Sequence, residues 1–159
     1  AAVEVKRQVS IVIIASIAHN CDDDVDTREE IKDILVAEDN MINQKLLTRI
    51  LEMGGYQFLV ANNGQEAHNI YCNHHADISL VLMDIEMPIC NGPESARRIR
   101  LFESEKSLSQ VPIVAVSANS RSDYIDQMIQ SKEFSDYVTK PYLKQDLLNC
   151  VLGGLVRKL

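Results

Sequence analysis

The chain lacks any CxxC pair. Cys21, Cys72, Cys90 and Cys150 lie far apart, so neither a zinc site nor a thioredoxin-like dithiol is expected, and reduced thiols in a cytoplasmic setting are. It also lacks a cluster of Lys and Arg, and its formal charge of -7 argues against binding nucleic acid, which relies on clustered cations set against phosphates. The most apolar run, Val9 to Ala18, is too short to cross a bilayer and carries no small-residue cleavage site, so no membrane segment is expected. There is no Gly-rich phosphate loop, which disfavours a nucleotide-binding module. Internal repeats and low-complexity tracts are absent beyond one short acidic stretch.

The 159 residues suffice for one ordinary domain with a sizeable core plus some extra sequence. Residues 1 to 30 form that extra part: a β-branched run, SIVIIASIA, followed by the polar stretch CDDDVDTREE, which reads as an added strand or neighbouring fragment and an acidic linker. The acidic run Asp22 to Asp24 lacks the spaced ligands and glycine of a calcium loop. From residue 31 to 159 short apolar runs alternate with longer amphipathic stretches. DILVA, FLVA, SLVLM, PIVAVSA and DYVTK predict five strands, each followed by a helix: Ile42 to Met53, Gln65 to His74, Glu94 to Phe102, Ser122 to Ser131 and Leu143 to Leu159. Gly54-Gly55 and Asn62-Asn63-Gly64 punctuate the scheme, and Pro93 falls in a first helical turn, where proline is tolerated. The expected fold class is α/β, a doubly wound parallel sheet in the order 2-1-3-4-5.

Ligands of such sheets bind beyond the carboxyl ends of the strands, near the point where strand order reverses. The first strand ends in Glu38-Asp39, the third in Asp84, the fourth in Ser117 and the fifth in Lys140. In that strand order these residues share one rim. Three carboxylates so close would repel one another and raise at least one pKa unless a cation joined them, and an oxygen-only donor set suits Mg2+. An aspartate on a rigid strand end can attack phosphorus, and Asp84 is the candidate. Phosphoryl transfer asks the protein chiefly for positioning and neutralisation, roles that fit Mg2+ and Lys140, with Ser117 donating to a phosphoryl oxygen.

VAEDN (36 to 40), LMDIEMP (82 to 88), VSAN (116 to 119) and TKP (139 to 141), in that order, resemble the receiver domains of two-component signalling. The run EDNMINQK is similar to receivers attached to hybrid histidine kinases. The resemblance covers roughly residues 32 to 157. It implies a flavodoxin-like fold and a phosphoacceptor at Asp84. It also implies Mg2+ held by Glu38, Asp39, Asp84 and the backbone carbonyl of Glu86, with Lys140 on the phosphoryl group and a cis bond at Lys140-Pro141. Ser117 and Tyr137 would rearrange together after phosphorylation. A histidine kinase domain or a histidine phosphotransfer protein would be the partner, and the domain would promote its own phosphorylation and dephosphorylation. The segment ICNGPES departs from the family pattern: Asn91 stands where Asp is common, and Pro93 after the glycine is unusual.

Two other readings fit parts of the pattern. A haloacid-dehalogenase-type phosphohydrolase would require a second Asp two residues after the nucleophile, where Glu86 stands. A pseudo-receiver, an interaction module that no longer takes a phosphoryl group, would not require the full set Glu38, Asp39, Asp84, Ser117 and Lys140. His19, His68, His74 and His75 fall in no donor motif and are expected to be solvated. Met41, Ile42 and Leu46 are candidates for a partner surface, although a helical period would turn at least one toward the core.

Overall fold

The computed structural model describes residues 33–156. The strand and linker expected within residues 1 to 30, together with Cys21 and His19, lie outside the described residues. Within them, β1 (Asp33–Ala37), α1 (Met41–Met53), β2 (Phe58–Ala61), α2 (Gly64–His74), β3 (Ile78–Asp84), α3 (Gly92–Glu105), β4 (Ile113–Ser117), α4 (Ser122–Gln130), β5 (Asp136–Thr139) and α5 (Lys144–Val156) alternate strictly. All strand pairs are parallel, in the order β2-β1-β3-β4-β5. This is the expected topology.

Strand position follows from composition. β3, ISLVLMD, is buried at every residue and sits in the middle, as a continuous apolar run must when helices cover both sheet faces. Successive side chains leave a strand on opposite faces. Leu80 and Leu82 therefore join the core made with Leu47, Leu51, Leu147 and Val151 of α1 and α5. Val81 and Met83 join the opposite core, with Ala67, Tyr71, Ala96, Ile99 and Met128 of α2, α3 and α4. β2 and β5, at the edges, are mostly half-buried.

Three helices open on asparagines. Asn40 accepts from the Ile42 and Asn43 amides, Asn63 from Glu66 and Asn91 from Glu94, each cap contributing about 1 kcal/mol. The cap at Asn91 explains why α3 starts at Gly92, two residues earlier than the apolar pattern indicates, with Pro93 in its first turn. Gly64 and Gly92 are close-approach positions. A Cβ on Gly64 would lie 2.3 Å from the Cys90 carbonyl oxygen, and one on Gly92 would lie 2.3 Å from that of Asp84.

A buried charge ties α2, α3 and the approach to β4 together. Glu103 accepts from the Tyr71 hydroxyl at 2.8 Å, the Val111 amide at 2.7 Å and Arg100 at 2.8 Å. Arg100 also donates to the Val111 and Glu133 carbonyls. Burial, then the bond to Glu103 and its charge, push the Tyr71 hydroxyl far above its ordinary range.

Candidate functional site

The sheet delivers its strand ends to one place. β1 runs out at Ala37, so Glu38 and Asp39 begin the loop into α1; β3 ends on Asp84, β4 on Ser117, and Lys140 follows β5. These five, with Glu86, Asn40, Asn43 and Ala118, line a single pocket of about 190 Å³. Small-molecule pockets generally run from about 300 to 1,000 Å³, so this one suits a phosphoryl-sized group and disfavours the phosphohydrolase reading.

Lys140 Nζ sits 2.8 Å from Glu38 Oε2 and 3.3 Å from Asp84 Oδ1. The other Glu38 oxygen accepts the Asn40 amide at 3.1 Å. Glu38 has no exposed surface, and both its carboxylate oxygens are engaged. Gln44 donates to the Glu38 carbonyl and to Asn62, which Glu66 holds in turn, so the turn after β1 is braced from α1 and from the start of α2.

Oxygen atoms of Glu38, Asp39 and Asp84 lie within 4.8 Å of one another, with one ammonium among them. Fully ionised, the group carries a net charge of about -2. Burial first, and then the Glu38 charge, push Asp84 up to about 6, against the pull of Lys140. Burial pulls Lys140 down, but the Glu38 hydrogen bond and the Asp84 and Glu38 charges outweigh it and leave the ammonium favoured. Burial, followed by the Glu38 and Asp84 charges, pushes Tyr142 up to about 12. An acidic, oxygen-only donor set with negative charge in excess fits a hard divalent cation. Asp39 and Glu86 are exposed where they line the pocket, while Asp84 is only 6% exposed.

Ser117 Oγ accepts the Asn119 amide at 3.1 Å, while the Tyr137 hydroxyl donates to the Asn119 carbonyl. Tyr137 is half-buried and lies outside the pocket lining. Lys140-Pro141 is cis. Asn40, Asn43 and Tyr142 were not among the residues singled out from sequence. A polar cap directly after the acidic pair was the available signal for Asn40, whereas nothing in the sequence placed Tyr142 near two carboxylates.

The described histidines, His68, His74 and His75, are not in the pocket lining. His74 is exposed as expected; His68 is not simply solvated, because its ring packs half-buried with Nε2 3.4 Å from Cys72 Sγ. Cys72 and Cys90 are free thiols. Met41, Ile42 and Leu46 are all exposed, contrary to the expectation that at least one faces the core; α1 buries Leu47, Ile50 and Leu51 instead. Among the described residues no helix is long and apolar enough to cross a membrane.

Residues 34–152 match the response regulator receiver domain family. Hybrid signal transduction histidine kinase I of Dictyostelium discoideum is 37% identical over 111 residues, which cover 68% of this chain and 6% of that kinase. Among solved structures, a co-crystal of the Saccharomyces cerevisiae histidine phosphotransfer protein Ypd1 with the receiver domain of its downstream response regulator Ssk1 aligns with TM-score 0.72 and 30% identity, covering 80% of this chain and 90% of the other. The receiver domain of the Pseudomonas aeruginosa sensor histidine kinase PA1611, with magnesium in its active-site cleft, aligns with TM-score 0.67 and 26% identity, covering 79% and 98%.

Proposed function

This chain belongs to the response regulator receiver domain family, and from that premise we propose that it accepts a phosphoryl group from a phosphohistidine onto Asp84 in a Mg2+-dependent reaction. The observation that carries the proposal is the meeting of Lys140, Glu38 and Asp84 in one pocket beside Asp39. An Asp84 oxygen attacks phosphorus as the phosphorus–nitrogen bond of the donor breaks; the electron pair stays on the imidazole, which takes a proton from solvent. Mg2+, when bound, neutralises charge on the phosphoryl oxygens.

The chain's own groups do the rest. Asp39, Asp84 and the Glu86 backbone carbonyl would hold the cation, while Glu38, occupied by Lys140 and the Asn40 amide, contributes chiefly by ordering its neighbours. The Lys140 ammonium, 3.3 Å from the acceptor carboxylate, moves onto a phosphoryl oxygen as Asp84 loses its negative charge to the ester-like bond. Ser117 accepts from Asn119 and keeps its hydroxyl proton to donate to a second oxygen. Because Ser117 and Tyr137 both hold Asn119, drawing Ser117 toward the phosphoryl group pulls on the loop that fixes Tyr137, which is a route for output.

The donor or recipient would be a histidine kinase domain or a histidine phosphotransfer protein, as the yeast complex suggests by its composition. Intact mass after incubation with acetyl phosphate and Mg2+ tests the reading: one added phosphoryl group on the wild type, and none on Asp84→Asn. Equal labelling of both proteins would displace Asp84. No labelling, together with no binding of beryllofluoride, would leave the pseudo-receiver reading in its place.

A further inference from the structure

The four most exposed large apolar side chains among the described residues are Ile89 at 85%, Ile42 at 79%, Leu143 at 71% and Met41 at 64%. Their placement is not scattered. Met41 and Ile42 open α1 just after β1, Ile89 sits in the loop after β3, and Leu143 lies between β5 and α5. Parallel strands send all three connections to one end of the sheet, the end that holds Asp84. An acidic pocket is thus framed by the least buried hydrophobic groups of the domain. Large apolar side chains left exposed and gathered at one end of a domain, rather than scattered singly over its surface, point to an interaction site.

Ile89 adds a second, independent observation. Its φ is 69°, a left-handed conformation that is a genuine outlier for a β-branched residue and that glycine or asparagine adopts far more readily. The loop is not free to relax. Cys90 donates to Pro88 at 2.7 Å, Gly64 donates to Cys90 at 3.0 Å, and Gly92 donates to Ile85 at 3.0 Å. With most of its surface in solvent, the side chain gains little packing in the free domain to offset its backbone strain. Strain without a local return is found where function requires the residue.

We infer that Ile89 is a docking residue, held rigidly outward to meet an apolar patch on the protein that carries the phosphohistidine. This rests on the proposed phosphoryl acceptance. The occupant follows from geometry: Asp84 is 6% exposed in its pocket, so an imidazole can reach it only if the surface bearing that imidazole covers the rim. A small phosphodonor has no such surface and does not touch Ile89. Rigid apolar anchors near the centre of an interface carry a large share of its binding energy.

The test uses Ile89→Gly and Ile89→Asn, both compatible with the backbone, in the full chain, with acetyl phosphate and phosphorylated yeast Ypd1 as alternative donors. Both variants should melt no lower than the wild type and label from acetyl phosphate at the wild-type rate. Transfer from Ypd1 should slow at least tenfold, through a weaker complex. Transfer within twofold of wild type in both variants would overturn the inference. So would a wild type labelled by acetyl phosphate but not by Ypd1, which would leave Asp84 as acceptor intact. Failure of the wild type with both donors would instead bring down the proposed function itself.

Discussion

Asp84 and Lys140 are held in opposition to their own burial, and the consequences are measurable one side chain at a time. A carboxyl whose folded pKa is raised binds its proton more tightly folded than unfolded. Its contribution to stability is therefore fully present below its ordinary value of 3.8 and lost as pH rises to about 6. Asp84→Asn, without divalent cations, should melt about 3 °C above the wild type at pH 7 and show little difference at pH 4, for a gain of about 1 kcal/mol. Differential scanning fluorimetry across that pH range checks it, and the gap should close when Mg2+ is added. Lys140→Ala should act oppositely: it leaves Glu38 and Asp84 with no cation and should cost about 2 kcal/mol in urea unfolding at pH 7 without Mg2+. A smaller loss with Mg2+ present would show that the metal replaces part of the missing charge. The acidic pair, Asp84, Ser117 and Lys140 could be found from sequence because each ends or follows a strand of readable pattern. Tyr142 could not, since its approach to Glu38 and Asp84 depends on how the chain turns after Pro141. The engagement of both Glu38 oxygens depends likewise on an amide two residues along the chain and an ammonium 102 residues away.

Helix and strand placement depends on signals of different strength. β1 and β2 match their apolar runs residue for residue, whereas α3 begins earlier and ends later than its run because Asn91 caps it and polar Ser104 and Glu105 complete its last turn. Apolar periodicity reports what a helix buries and is silent about polar turns at its ends. Close approaches between elements are equally silent. Gly64, at the start of α2, touches the loop after Asp84 so tightly that Gly64→Ala should cost about 2 kcal/mol, and by shifting Cys90 it should weaken Mg2+ binding in isothermal titration. Glu103→Ala should be more damaging, about 3 kcal/mol, because Tyr71, Arg100 and the Val111 amide lose their shared partner in the interior. If Glu103→Ala unfolds at the wild-type urea concentration, that buried network contributes nothing.

At the scale of the whole molecule the site belongs to no single element. Its groups come from the loop after β1, the ends of β3 and β4 with the loops that follow them, and the residue after β5, so no fragment lacking any of these four strands can assemble it. In guanidinium, loss of Mg2+ binding and loss of far-ultraviolet circular dichroism should share one midpoint; a binding signal lost well before the helical signal would mean that the rim frays independently. The ion pair between Glu38 and Lys140 has a bearing on biosynthesis. A ribosome delivers Asp84 long before it delivers the lysine that completes the pocket, so on the proposed function a half-made chain would carry its acceptor while still deaf to the donor. On that reading competence would arrive only once the last strand is followed by its lysine, and premature truncation would yield silence rather than a constitutively wrong message.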